Sequence, residues 1–218
     1  MVPATFHLPV WFDLGATFAF GLTGALAGIK RGYDIVGVFF LALATGLGGG
    51  LIRDGVFIPG GAATPLLTDP RYVELIGAAT IAGALIGGRV KKFHRLIAVV
   101  DALGLGAYAA FGTEKALTAG LAVPAAVLVG VINAAGGGLL RDIITREEPL
   151  VFKPGQFYVL TALAGAVTFV FVAVMVGESA TTAAMAAIGV TFVFRALTIA
   201  FNWRTTPVGG ASEEDVMP

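Results

Sequence analysis

The stretch Gly48–Asp54 (GGGLIRD) occurs a second time, 88 residues later, as Gly136–Asp142 (GGGLLRD). Six of its seven positions are identical, and two of the identities are charged residues. Extended without a gap over residues 13–54 and 101–142, the same offset gives 10 identities in 42 positions. The chain therefore contains an internal duplication whose best-matched part is a glycine triplet followed by an arginine–aspartate pair.

The composition around this duplication is that of a membrane protein. Of the 218 residues, 57% are hydrophobic and 13% are charged, and the charged share is about half of that in a typical soluble domain. Because so few charges cannot cover the surface of a soluble protein of this size, lipid is the predicted solvent of the chain. The zero net charge gives no indication of a nucleic-acid partner, and the absence of cysteine excludes disulfides.

Seven apolar stretches are long enough to cross a membrane as helices of roughly 20 residues. They are predicted at 11–29, 35–52, 72–88, 96–112, 116–140, 157–177 and 180–203. The predicted fold is an all-α membrane protein with a first three-helix repeat at 11–90 and a second at 93–177. A seventh transmembrane helix at 180–203, for packing or oligomerisation, and a disordered tail at 205–218 complete the chain.

The two repeats are predicted to have inverted topology. Each holds three spans, and because three is odd, the second repeat enters the membrane from the opposite side, as in many transport proteins. Ten of the 14 basic residues fall on one face and three on the other. Basic loops stay on the cytoplasmic side, so the N-terminus is predicted outside and the C-terminus in the cytoplasm.

The glycine triplets have two interpretations. Three glycines in succession weaken a helix by roughly 1 kcal/mol per residue relative to alanine, so each triplet can break or kink its helix and free carbonyls to line a wet path. The alternative is tight packing between helices. Repetition in both repeats favours the break, and the predicted lining includes the polar residue just before each triplet. These pore residues are Gly48, Gly49, Gly50, Gly136, Gly137, Gly138, Thr45 and Asn133.

Six charged residues are the other candidates for the pathway: Arg53, Asp54, Arg141, Asp142, Asp13 and Asp101. The two Arg–Asp pairs either reach the headgroups from a helix end or fix the broken helices at the two mouths of a path. The remaining two aspartates lie near the starts of the first helices of the repeats. They either attract cations or pair with an arginine.

Three further positions carry weaker predictions. Arg195, inside the seventh span, is predicted to reach the cytoplasmic interface, with pairing to an acid as the alternative. Glu114–Lys115 is predicted as a loop pair between the fourth and fifth spans, and Pro124 as a kink in the fifth. No phosphate-binding loop, serine–histidine–acid set or His–Glu zinc motif is present, so no enzyme activity, cofactor or tightly bound metal is predicted.

With its paired Gly-Gly-Gly-x-x-Arg-Asp motifs, the sequence resembles the prokaryotic branch of the trimeric intracellular cation (TRIC) channel family, over about residues 11–203. The resemblance implies a homotrimer in the prokaryotic inner or plasma membrane, with one pore in each subunit between the repeats. It also implies permeation by K⁺ or another monovalent cation such as Na⁺, and kinked second and fifth spans. The Lys-Glu-Val motif of the animal members is absent. Asp101 lies near the position of its lysine, which weakens any expected dependence on phosphoinositide, though bound membrane lipid stays an expectation.

The predicted function is thus a passive, potassium-permeable cation channel. The main alternative is a secondary carrier of a small solute such as glycine, which would use the same helices for alternating access. A structural membrane protein without a transport role is the weaker alternative. Single-channel currents distinguish the first from the other two.

Overall fold

The computed structural model describes residues 7–58, 64–87, 94–153, 157–201 and 203, and all of its regular elements are helical. They are α1 (Trp11–Lys30), α2 (Ile35–Ile52), α3 (Pro65–Thr68), α4 (Pro70–Gly87), α5 (His94–Thr118), α6 (Val123–Ile144), α7 (Tyr158–Val170) and α8 (Ala180–Ala200). A π-helical segment continues α2 over Arg53–Phe57, and another continues α7 over Phe171–Val176. The predicted tail at 205–218 and the basic residues at 89–92 lie outside the described residues.

Within the described ranges, five helices are long and apolar enough to cross a membrane: α1, α2, α6, α7 and α8, with α2 and α7 counted together with their π-helical segments. Large apolar side chains such as Phe40 and Met175 are mostly exposed on the outer surface, which suits contact with lipid rather than water. α4 is less apolar because Arg71 and Glu74 fall in its first turns. That α4 and α5 also cross the membrane stays a prediction.

The ends of the helices follow from local sequence. The Asp34 carboxylate accepts the Gly37 backbone N–H at 2.8 Å and starts α2. Gly32 and Gly120 follow α1 and α5 with φ of +76° and +84°, a left-handed conformation that favours glycine. These two glycines are 88 residues apart, so the same turn ends the first helix of each duplicated segment.

The central helices of the bundle are α1 and α5. α1 packs against α2, α4 and α5, while α5 also packs against α6, α7 and α8. α2 and α6 pack against each other. Between α1 and α5, the rings of Phe20 and Tyr108, again 88 residues apart, stack with centroids 5.2 Å apart and planes inclined by 12°.

The loop predicted at Glu114–Lys115 is wrong, since α5 continues to Thr118. Both charges have partners on other elements: the Glu114 carboxylate lies 3.4 Å from the His7 imidazole, and the Lys115 ammonium lies 2.8 Å from the Asp54 carboxylate. These two contacts compensate the charges of Glu114 and Lys115 inside α5. Hydropathy alone predicts that the helix ends before them.

The kink predicted at Pro124 is also wrong, and the fifth predicted span is displaced with it. α6 begins at Val123, so Pro124 lies in its first turn. A first-turn N–H has no acceptor within its own helix, and proline therefore starts a helix there without losing a hydrogen bond.

Candidate functional site

The two glycine triplets form the crossing of α2 and α6. A Cβ atom at Gly49 would overlap the backbone oxygen of Asn133, and one at Gly137 would overlap the backbone oxygen of Thr45. Thr45 and Asn133 are equivalent positions of the duplication, as are the two glycines. The crossing therefore consists of one backbone contact made twice, and only glycine permits it.

The helix break predicted at each triplet is wrong. α2 is continuous through Gly48–Gly50, and α6 is continuous through Gly136–Gly138. Close packing explains the triplets, because contact with a neighbouring backbone compensates for the poor helix propensity of glycine. The carbonyls at the crossing therefore remain inside intact helices, while a bend of the helix axes stays a prediction.

The two polar residues before the triplets are fully buried but have different partners. The Thr45 hydroxyl donates to the Leu41 carbonyl of its own helix at 2.7 Å. The Asn133 side chain donates to the Tyr108 carbonyl at 2.8 Å and accepts from Arg53 at 3.3 Å. Asn133 thus connects α6 to α5 and to the end of α2.

The Arg53 cluster consists of Arg53, Asp54, Asp13, Tyr72 and Lys115. The Arg53 side chain is 1% exposed, so it does not reach out to headgroups. Its guanidinium donates to both carboxylate oxygens of Asp54, at 2.6 and 3.0 Å. It also lies 5.2 Å from the centre of the Phe111 ring, a cation–π contact. The neighbouring acid therefore binds its own arginine within the protein.

Asp13 completes this cluster from α1. Its Oδ2 accepts the Tyr72 hydroxyl at 2.6 Å, and its Oδ1 lies 3.7 Å from the Arg53 guanidinium. Among the described residues, Oδ1 has no hydrogen-bond donor although Asp13 is 1% exposed. Lys115 donates to Asp54 Oδ2 at 2.8 Å, an oxygen that also accepts from Arg53. The charges of two carboxylates and two cations thus balance in a site that little solvent reaches. Asp13 pairs with an arginine, and one of its oxygens accepts no hydrogen bond from the described residues.

The Arg141 cluster forms around the second motif. Arg141 donates to Asp142 at 2.9 Å and to the Thr23 hydroxyl of α1 at 3.3 Å. Asp101 interacts electrostatically with Arg141 and with Arg195. Asp101 and Asp13 are equivalent positions of the duplication, and each interacts electrostatically with the arginine of its own copy.

Arg195 does not reach the interface, so that prediction is wrong. Arg195 is 6% exposed, and its guanidinium lies 5.2 Å from the centre of the Tyr158 ring. The aromatic face and the Asp101 carboxylate explain why this cation stays inside the protein. The seventh predicted span thus contributes a charge to the Arg141 cluster.

Sequence reasoning missed the tyrosines of the site. The Tyr108 hydroxyl hydrogen-bonds the Thr17 hydroxyl at 2.8 Å and donates to the Gly46 carbonyl of α2. The duplication could have identified Tyr108, because it is the equivalent of Phe20 in the first copy and differs from it by a hydroxyl group. Tyr72 lies in α4, and the residue 88 positions later, Leu160, is not a tyrosine that would have identified it.

A cavity of about 380 Å³ lies beside the Arg53 cluster, and we name it the Asp13 cavity. Its polar wall includes His7, Asp13, Tyr72, Glu114 and Lys115. It lies where the start of α1, the end of α5 and the segment after α2 meet. The cavity therefore gives an ion room at the edge of the Arg53 cluster, next to the buried Asp13 side chain.

The sequence matches a known protein family and two bacterial membrane proteins. A family described as "Glycine transporter" matches residues 10–88 and 98–174. The chain is 34% identical over 158 residues to a UPF0126 membrane protein of Deinococcus radiodurans, covering 72% of each chain. It is 29% identical over 199 residues to the UPF0126 inner membrane protein YadS of Escherichia coli, covering 89% of this chain and 93% of that one.

Solved structures share the fold. A TRIC trimeric intracellular cation channel orthologue from Rhodobacter sphaeroides is 30% identical with a TM-score of 0.81, covering 88% of this chain and 97% of its own. A second TRIC cation channel is 28% identical with a TM-score of 0.82, covering 94% and 100%. This chain is therefore an integral membrane protein that belongs to the glycine transporter family and is related to the bacterial TRIC channels in sequence and fold.

Proposed function

We propose that the protein is a passive monovalent cation channel that conducts K⁺, with a pore in each subunit of a homotrimer. One observation carries this proposal. A line of buried polar groups runs from the Arg53 cluster into the apolar core, and a second cluster of the same kind lies at the other motif. Polar and charged groups inside a membrane protein are costly, and they mark ion pathways by default.

The polar line follows hydrogen bonds. Arg53 bonds the Asn133 side chain at 3.3 Å, which bonds the Tyr108 backbone at 2.8 Å. The Tyr108 hydroxyl then bonds Thr17 of α1 at 2.8 Å. Further along α1, Thr23 accepts from Arg141 at 3.3 Å. Six residues of helix span roughly 9 Å, so this distance of α1 separates Thr17 on the polar line from Thr23 at the Arg141 cluster.

The proposed path runs beside the α2–α6 crossing rather than through it. The backbone contacts of Gly49 and Gly137 leave no room between the two helices at that level. Hydroxyl, amide and carbonyl groups of the polar line would replace part of the hydration shell of the ion. Arg53 and Arg141 hold the two ends closed, and conduction requires their side chains to move. The π-helical segment that starts at Arg53 favours such movement, because π-helical turns often occur at functional sites.

Reciprocal contacts support the proposal of two inverted three-helix repeats and a seventh helix. A two-fold axis requires that if position i of one copy touches position j of the other, their equivalents touch as well. Gly49 against Asn133 and Gly137 against Thr45 meet this requirement. Gly24 against Thr45 and Gly112 against Asn133 repeat a contact within each copy. The stacked pair Phe20 and Tyr108 fits a position on the axis itself.

The proposed orientation puts the C-terminus in the cytoplasm, which a pair of reporter fusions tests. A fluorescent protein fused after Trp203 is expected to fluoresce, because it folds in the cytoplasm but not after export. The matched fusion after Glu178, between α7 and α8, is expected to be dark, while alkaline phosphatase at that site is active. The reverse pattern at the two sites would refute the orientation.

A glycine carrier is the second candidate, and the family description favours it. Proteoliposomes distinguish the two functions. A channel is expected to release K⁺ down its gradient and to leave radiolabelled glycine outside. Saturable glycine uptake without K⁺ release would favour the carrier, and empty liposomes and liposomes with heat-unfolded protein serve as controls.

A further inference from the structure

We propose that His7 and Glu114 form a proton-binding site at the mouth of the Asp13 cavity, and that protonation of His7 reduces the admission of cations. The inference rests on the proposed cation conduction through this cavity. It adds a regulatory ligand, the proton, which acts from the face that holds the N-terminus.

The two side chains differ in their access to water. His7 Nδ1 lies 3.4 Å from Glu114 Oε1, and the His7 side chain is 66% exposed while that of Glu114 is 5% exposed. Histidine side chains ordinarily change charge between about pH 5 and 8. Protons from solution therefore reach His7 directly, and the Glu114 carboxylate lies ready to bind the imidazolium.

The backbone next to His7 is fixed in place. Leu8 is buried and packs in one apolar cluster with Phe12 and Leu117. Glu114 is held by the Thr118 hydroxyl, which donates to it at 3.2 Å. His7 is thus attached at the cavity mouth by its neighbour, so a change in its charge acts at a defined position.

The charges that face this site come from four elements. They are Asp13 of α1, Arg53 and Asp54 at the end of α2, Tyr72 of α4, and Glu114 and Lys115 of α5. In their ordinary states at neutral pH, three carboxylates and two cations leave a formal charge of −1. A protonated His7 brings this to zero. Since a negative mouth raises the local concentration of cations, acidification is expected to remove that attraction.

Single-channel recording at varied pH tests the inference. Lowering the pH from 8 to 5.5 on the N-terminal face only is expected to reduce the K⁺ conductance of the wild type by at least about two-fold. His7→Gln is expected to abolish the dependence, and His94→Gln, which changes the other histidine, to preserve it. A flat wild-type response, an unchanged response in His7→Gln, or an effect of acid only from the opposite face would overturn the inference while leaving conduction itself established. Absence of K⁺ current from the wild type at every pH would instead contradict the proposed function.

The proton site itself can be tested without currents, by NMR of the histidine rings. In the His94→Gln protein, labelled on histidine, the single ring signal reports His7. At pH 5.5, the Glu114→Gln change is expected to shift this ring signal, because the imidazolium loses the carboxylate that lies 3.4 Å from it. An unchanged signal shows that the two residues form no proton site.

Discussion

Replacement of Arg53 by alanine is expected to destabilise the protein by about 3–5 kcal/mol, since removal of one partner leaves a buried charge uncompensated. Asp13 and Asp54 would both lose their guanidinium in a place that is almost inaccessible to solvent. Lys115 would still bind Asp54, but Asp13 would keep only the Tyr72 hydroxyl. Thermal unfolding of the purified protein in detergent measures the loss.

Arg71→Ala is the matched control for this change. Arg71 belongs to the same part of the chain, but its side chain is 55% exposed and binds Asp69, two residues away. Solvent screens an exposed pair of this kind, so its loss is expected to leave the unfolding temperature nearly unchanged. Equal unfolding temperatures for Arg53→Ala and Arg71→Ala would contradict the buried cluster. If the Asp13 pairing is correct, adding Asp13→Asn to Arg53→Ala restores part of the lost stability.

Gly49→Ala and Gly137→Ala are each expected to destabilise the protein by roughly 1–3 kcal/mol or more, the usual cost of overpacking. The added methyl group would overlap a backbone oxygen of the facing helix, which cannot rotate away as a side chain can. The helices α2 and α6 must therefore separate. Both variants are also expected to change K⁺ conduction, because the polar line passes next to the crossing. Thermal unfolding and bilayer recording measure the two effects.

Gly77→Ala and Gly189→Ala provide the controls. Both glycines lie inside helices, and a Cβ atom at either would meet no atom within 4 Å. Alanine there is expected to be neutral or to stabilise by up to about 1 kcal/mol, since it is the better helix former. If Gly49→Ala is as stable as Gly77→Ala, the backbone contact at the crossing is not as described.

Much of the fold follows from hydropathy and the duplication. The predicted spans at 11–29, 35–52 and 72–88 agree closely with α1, α2 and α4, because a charged pair, a capping aspartate or a proline lies next to their ends. The boundary between α5 and α6 was misplaced, because Glu114 and Lys115 resemble a loop until their partners are known. Those partners, His7 and Asp54, come from distant parts of the chain, and hydropathy carries no information about them.

The candidate site was predictable in its duplicated part and not beyond it. The 88-residue offset identified the arginines, the aspartates and the glycines of both motifs. It could not show that the triplets pack rather than break, because the choice depends on the facing backbone at Thr45 and Asn133. Nor could it show that α8 supplies Arg195 to the Arg141 cluster, since α8 lies outside the duplication. Partners that occur in one copy only require the folded structure.

Recording of the purified protein in a planar bilayer with a KCl gradient shows whether each subunit conducts cations. We expect unitary currents that reverse close to the K⁺ equilibrium potential. Up to three equal conductance steps are expected for each inserted assembly, one for each subunit pore. Absence of currents, or reversal at the Cl⁻ equilibrium potential, would show that the protein is not a cation channel.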